Sequence, residues 1–156
     1  QHEHVGGATP YADLVDREIK ALAPEEIEQL LAGEGMGMAL AAELNGLPGP
    51  RHVLELADEL ELEPEGREEV RRVFDAMEAR AQELGALVVD EERALDRAFA
   101  SGTVTATEID RRTARIAGLR GELRAAHLSA HLSTAALLSD DQRHRYAMLR
   151  GYHGGR

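Results

Sequence analysis

The stretch AAHLSAHLS, residues 125–133, sets two histidines four positions apart in a run that otherwise reads as an Ala/Leu helix. On a helix, residues i and i+4 stand one above the other with Cβ atoms roughly 5–6 Å apart, so the imidazoles of His127 and His131 can reach one metal ion. Two ligands alone make a weak and promiscuous site. The same spacing equally suits two half-buried imidazoles bonded to carbonyls or carboxylates. The zinc-protease helix needs a glutamate directly after its first histidine, and Leu128 stands there instead. A di-iron bundle needs Glu-x-x-His on its helices, a pattern this sequence lacks. With no cysteine there is no thiolate cage. An ion here would be held by imidazole, carboxylate or thioether, which suits Zn, Cu, Ni or Co.

Helices must position such a pair. Pro64 opens a long helix to about Ala100, along which Val70, Val73, Phe74, Met77, Ala81, Leu84, Val88, Leu95 and Phe99 recur mostly at threes and fours as one apolar stripe. SGTVTAT (101–107) reverses the chain. Thr107 is the expected N-cap of a second long helix through Leu138, with Ile109, Ile116, Leu119 and Leu123 inward. At about 100° per residue, His127 lies within about 40° of Leu123 and faces the bundle, with His131 toward its edge. Leu128 and Leu132 point nearly opposite to Leu123, which predicts a dimer or a fully covered helix.

The shorter elements complete an all-α hairpin. Residues 24–45 (PEEIEQLLAGEGMGMALAAELN) read as a first helix, with Gly33, Gly35 and Gly37 marking a bend or close packing. NGLPGP (45–50) breaks the chain, and RHVLELADELEL (51–62) reads as a short helix. LSDDQ (138–142) is a capping box, Ser139 as N-cap with Gln142 three residues on, opening a last short helix. Nothing reads as strand or as a solenoid repeat. The expected organisation is one all-helical domain over residues 11–152, two long antiparallel helices with two shorter ones laid against them, between a flexible arm (1–10) and a flexible tail (153–156).

Hairpin arithmetic then brings further ligands to the histidine pair. A reversal near residue 103 sets His131 level with about residue 75. A second reversal near 63 sets that level beside His52, and a third at NGLPGP places His52 beside Glu43. Glu43, His52, His127 and His131 thus converge at one height, three imidazoles and a carboxylate for a four-coordinate Zn or Cu ion or the base of a larger Ni or Co site. Met36 and Met38 offer thioethers, although core filling is the commoner use of methionine. Asp75 and Glu78 are spare carboxylates at that height, expected as solvated surface. His2 and His4 on the arm could hold an ion loosely, and His144 and His153 read as surface.

Composition narrows the partners. At 156 residues with 43% hydrophobic and 30% charged residues, the chain is long enough for a real core and too mixed for a disordered or membrane-spanning one. Aromatics at 3% leave little for a sheet to pack. A formal net charge of −11 argues against a nucleic-acid partner and suits a cation or a basic polypeptide, as well as plain solubility. The sequence begins at Gln1 with no apolar run of signal length, as a mature exported form or a trimmed chain would. No activated nucleophile, acid–base pair or phosphate-cradling loop stands out, so an enzyme is not expected.

LSDDQRHRYAMLRGY (138–152) resembles the LTxxQ motif and following helix of the Spy/CpxP and ZraP/CnrX group of small periplasmic helical proteins, and LELEPEGREEV (60–70) resembles the group's more N-terminal copy. GMGMALAAELNGLPGPRHVLELADEL strengthens the likeness to the heavy-metal sensor and resistance branch. The resemblance covers residues 24–152. It implies a four-helix hooked hairpin, dimeric and periplasmic, and in the sensor branch a His/Glu/Met site for Ni, Co, Cu or Zn. His127 and His131 occupy the place of that branch's ligand pair on the last long helix, and His52 stands near an expected carboxylate ligand. Gly66 departs from the glutamine of the first motif copy, and the first helix lacks a His-x-x-x-His. The expected function is a periplasmic transition-metal-binding protein that holds a cation between the last long helix and the first helices. Its expected partners are a second copy of the chain and a membrane-protein regulator. The alternative is an ATP-independent Spy-like chaperone holding unfolded clients.

Overall fold

Proline stands at the first helical position of three helices, where a missing N–H costs nothing. The computed structural model describes residue 7 and residues 9–152. His2, His4 and His153, the first two read as loose ligands and the third as surface, lie outside the described residues. Within them the chain forms a 3₁₀ turn at Pro10–Leu14 and six α-helices: α1 Pro24–Ala32, α2 Leu40–Glu43, α3 Pro50–Glu55, α4 Pro64–Ala100, α5 Ala106–Ala136 and α6 Asp140–Leu149. No strand occurs among the described residues. The all-α hairpin expected from the sequence is therefore what forms. Helices α4 and α5 pack along one another, α1 and α3 lie on α4, and α2 and α3 touch α5.

The stretch expected as one helix over 24–45 is two, and that split together with the separate α6 makes six helices rather than four. Gly33 sits at φ +74° and its N–H closes back on Gln29 and Leu30, ending α1 in a left-handed cap. Met36 (φ 51°) and Gly37 (φ 73°) keep the next turns out of helical space, so helix resumes only at Leu40. The close packing hinted at by these glycines occurs at Gly33, where a Cβ would come within 2.9 Å of Gln82 Cγ, and again at Gly85 of α4, where one would come within 2.0 Å of the Leu30 carbonyl oxygen. The next segment is also shorter than expected, helical only over Pro50–Glu55, with turns to Leu62. The N-cap of α5 is Thr105 rather than Thr107, its side chain accepting from the Glu108 N–H at 3.2 Å. The capping box at Ser139 and Gln142 forms as read.

The apolar stripe of the hairpin divides into two packed clusters. Ile19, Leu22 and Leu30 close over Ala81, Leu84, Val88, Val89, Leu119 and Leu123. Val53, Ala57, Leu60, Leu62 and Val70 close over Leu138 and Tyr146. Between them, at Phe74 to Glu78 on α4 and at His127 to His131 on α5, the core gives way to a cavity. Phe99, expected on the stripe, is exposed beside the hairpin tip.

Candidate metal centre

The interruption follows from residue choice. Along α5 the inward positions run Leu123, His127, then Ala130 and Thr134 before Leu138, so the aliphatic series is replaced where the two clusters separate. The resulting cavity is about 640 Å³, closed by the Gly33–Leu40 segment on one side and by the start of α3 on another. Glu43, His52, His127 and His131 all line it, joined by Met36, Met77 and Glu78. Asp75 does not, and Met38 packs against the first core cluster instead. His144 is exposed, as read from the sequence.

Sharing a cavity is not sharing an ion. Among the described residues no three His, Cys, Asp or Glu side chains stand close enough together to hold one metal. Each side chain differs in what it has left to offer. His127 is 3% exposed and its Nε2 has no hydrogen-bond partner. Burial, and then the neighbouring His131, push its pKa below the ordinary imidazole value, so it stands neutral, the form that binds metals. His131 donates its Nδ1 proton to the Leu47 carbonyl at 2.8 Å, which fixes the tautomer and leaves Nε2 with a lone pair. The same ring lies over Gly49, where an added Cβ would fall 2.4 Å from Nε2. His52 repeats the arrangement with a carboxylate: its Nδ1 lies 2.8 Å from Glu55, whose carboxyl that hydrogen bond holds below the usual range.

Glu43 is differently employed. It is 7% exposed at the end of α2, and its Oε1 accepts from the hydroxyls of Tyr146 (2.5 Å) and Tyr152 (2.7 Å). Its Oε2 accepts from the Gly49 N–H at 3.3 Å and lies 3.5 Å from His131 Nδ1. Burial, then the bond to Glu43, drive the Tyr146 hydroxyl far above its ordinary pKa, and the same causes raise Tyr152, so both remain donors. The carboxylate expected as a ligand is the joint that ties α2 to α6 and to the chain beyond it. The tyrosines and Met77 were not anticipated from the sequence as parts of the site. The only signal for Tyr146 was its place on the helix opened by LSDDQ, and Met77 read as one apolar residue of a stripe.

Two imidazoles anchored through Nδ1, a third buried with Nε2 unpartnered, and two thioethers line the cavity, donor types that suit a transition ion although they are not gathered around one point. His127 and His131 would hold the ion, with His52 or Met36 drawn in. Bound there, the ion would supply a cross-link between α5 and the segments before α4.

The model of the LTXXQ motif family protein matches residues 50–150. That span holds α3 through α6 with His52, His127 and His131, and stops short of Glu43 and Met36. No curated protein and no solved structure matches the chain. No helix among the described residues is long and apolar enough to cross a membrane.

Proposed function

The chain belongs to the LTXXQ motif family, that of the Spy-, CpxP- and ZraP-like periplasmic proteins, and from that premise we propose that it is a non-enzymatic periplasmic protein that senses or buffers a transition metal. The observation that carries this reading is His127: an imidazole 3% exposed, with an unpartnered Nε2, on the wall of a cavity shared with two other histidines. A buried polar atom without a partner costs about 1–3 kcal/mol, a cost that a ligand would remove. An ion held by His127 and His131 together with His52 or Met36 would tie α3 and the Gly33–Leu40 segment to α5. The ion thereby favours one packing of the hairpin over another, in proportion to its differential affinity for the two. A membrane-protein regulator, or a second copy of the chain, would read that change.

Calorimetric titration of the full chain carrying His2→Ala and His4→Ala with Cu(I), Cu(II), Zn(II), Ni(II) and Co(II) tests the proposal. The expected result is one-to-one binding of at least one ion, abolished by His127→Ala with His131→Ala. No binding, or binding that survives the double substitution, would overturn it.

A second reading, the ATP-independent chaperone, draws on exposed apolar side chains. Leu40 at the start of α2 and Leu44 at its C-cap are 54% and 60% exposed, and Leu132 on α5, against which α2 packs, is 63% exposed. Apolar area of that kind serves client binding or a subunit contact. Suppression of aggregation of a reduced, unfolding client would support it, and its loss in Leu40→Ser with Leu44→Ser would place the activity on that face.

A further inference from the structure

Resting on the metal-binding reading, we propose that the ion is soft and monovalent, Cu(I), and that Met36 and Met77 select it together with His127 and His131. Three observations lead there. The first is which donors remain free. Glu43, the buried carboxylate of the cavity, already accepts from two tyrosine hydroxyls and a backbone N–H, and Glu55 is taken by His52. No trio of His, Cys, Asp or Glu is in ligating range among the described residues, so the nitrogen and oxygen set that borderline divalent ions need is not assembled. Thioethers make up that deficit. Met36 and Met77 both line the cavity, one from the Gly33–Leu40 segment and one from α4. Neutral imidazole with thioether is a soft donor set, and soft donors select Cu(I) over Zn(II).

The second observation is the backbone at Met36, which holds φ 51° between Gly35 and Gly37. Left-handed backbone is costly for a residue with a Cβ, and glycine or asparagine would adopt it more cheaply. Methionine brings nothing to that turn through its backbone, and its side chain is not taken up by the core. What it adds is a thioether on the cavity wall.

The third is the buried Nε2 of His127, which has no hydrogen-bond partner on a ring that lines the cavity. Phe74 and Met77 line the same cavity, and a weakly hydrated monovalent cation reaches a buried nitrogen at less desolvation cost than a divalent one.

The test is an anaerobic titration of the full chain, in the His2→Ala/His4→Ala background, with Cu(I) against a bicinchoninate competitor, and in parallel with Ag(I) and Zn(II). Cu(I) and Ag(I) are expected to bind one to one, more tightly than Zn(II). Met36→Leu with Met77→Leu, which keeps the volume, should weaken Cu(I) by about tenfold or more and Zn(II) by much less, since Zn(II) takes little from a thioether. If the double variant melts early, the unmutated chain labelled with selenomethionine answers instead: copper X-ray absorption should show a selenium neighbour. Copper with nitrogen and oxygen neighbours only, an unchanged Cu(I) affinity in the methionine variant, or tighter Zn(II), Ni(II) or Co(II) binding would overturn the copper assignment and leave the metal reading standing. Absence of binding by every ion would sink both.

Discussion

Glu43 and His127 line the same cavity, each buried to more than nine-tenths, yet they are opposites in hydrogen bonding. The carboxylate of Glu43 accepts two hydroxyls and a backbone N–H, while Nε2 of His127 meets nothing. Buried polar groups in folded proteins are satisfied as a rule. The satisfied one is therefore architecture: Glu43 joins α2 to Tyr146 and Tyr152 and so closes the C-terminal end over the cavity. The unsatisfied one carries a cost that the fold does not offset, and the proposed ion is what would offset it.

If that contrast is right, removing Glu43 hurts most. Glu43→Ala leaves the hydroxyl of Tyr146, a residue 2% exposed, and the Gly49 N–H without an acceptor. The expected loss is about 3–5 kcal/mol by urea denaturation. A loss under about 1 kcal/mol would mean that water replaces the carboxylate with ease, and the joint would be no joint.

Gly49→Ala strikes the other side of the comparison. The new Cβ would meet the His131 ring, which can yield only by leaving Leu47. A destabilisation of about 1–3 kcal/mol is expected, with weakened metal binding. Intact affinity in a destabilised Gly49→Ala protein would take His131 out of the ligand set.

His127→Leu should do little to stability, between no change and a gain of about 1 kcal/mol, because it deletes a polar atom that has no partner. It should nonetheless abolish metal binding. A loss beyond about 2 kcal/mol would show that the imidazole has a structural partner and that the contrast with Glu43 is false.

The histidines were legible in the sequence because helix geometry is local: a four-residue spacing and the angle to Leu123 place His127 inward without knowledge of any other element. That Glu43 and His52 line the same cavity agrees with the heights that three chain reversals give, but no three of these side chains stand in ligating range among the described residues. What those residues bond to was not legible. Whether Glu43 is a ligand or a joint depends on Tyr146 and Tyr152, more than a hundred residues away, and no pattern in the sequence ties them to it. The split of the first helix was half visible. Three glycines announced weakness, but only the left-handed cap at Gly33 and the left-handed Met36 decide that the chain leaves the helix rather than bends within it. The two motif copies likewise diverge in detail. Gln142 completes its capping box and also reaches the Leu60 carbonyl, whereas Gly66 offers no such side chain, and Arg67 bonds the Leu62 carbonyl and Asp58 in its neighbourhood.

The smallest effect is the most specific. Burial, then His131, lower the pKa of His127, with Glu43, Glu78 and Arg150 also facing the cavity. The unfolded chain takes up its proton near the ordinary value of about 6.5, while the folded chain resists until lower pH. Between those two points the unfolded state binds more protons, so stability is complete above about pH 6.5 and drains away as the pH falls toward the folded value. Denaturation midpoints of the wild type and His127→Leu should therefore run parallel above about pH 6.5, with the wild type falling behind below it. A constant difference down to about pH 5 would mean that His127 protonates as freely as in water. Its Nε2 would then be wet, its lack of a partner would cost nothing, and the unpaired nitrogen would no longer single out a metal site.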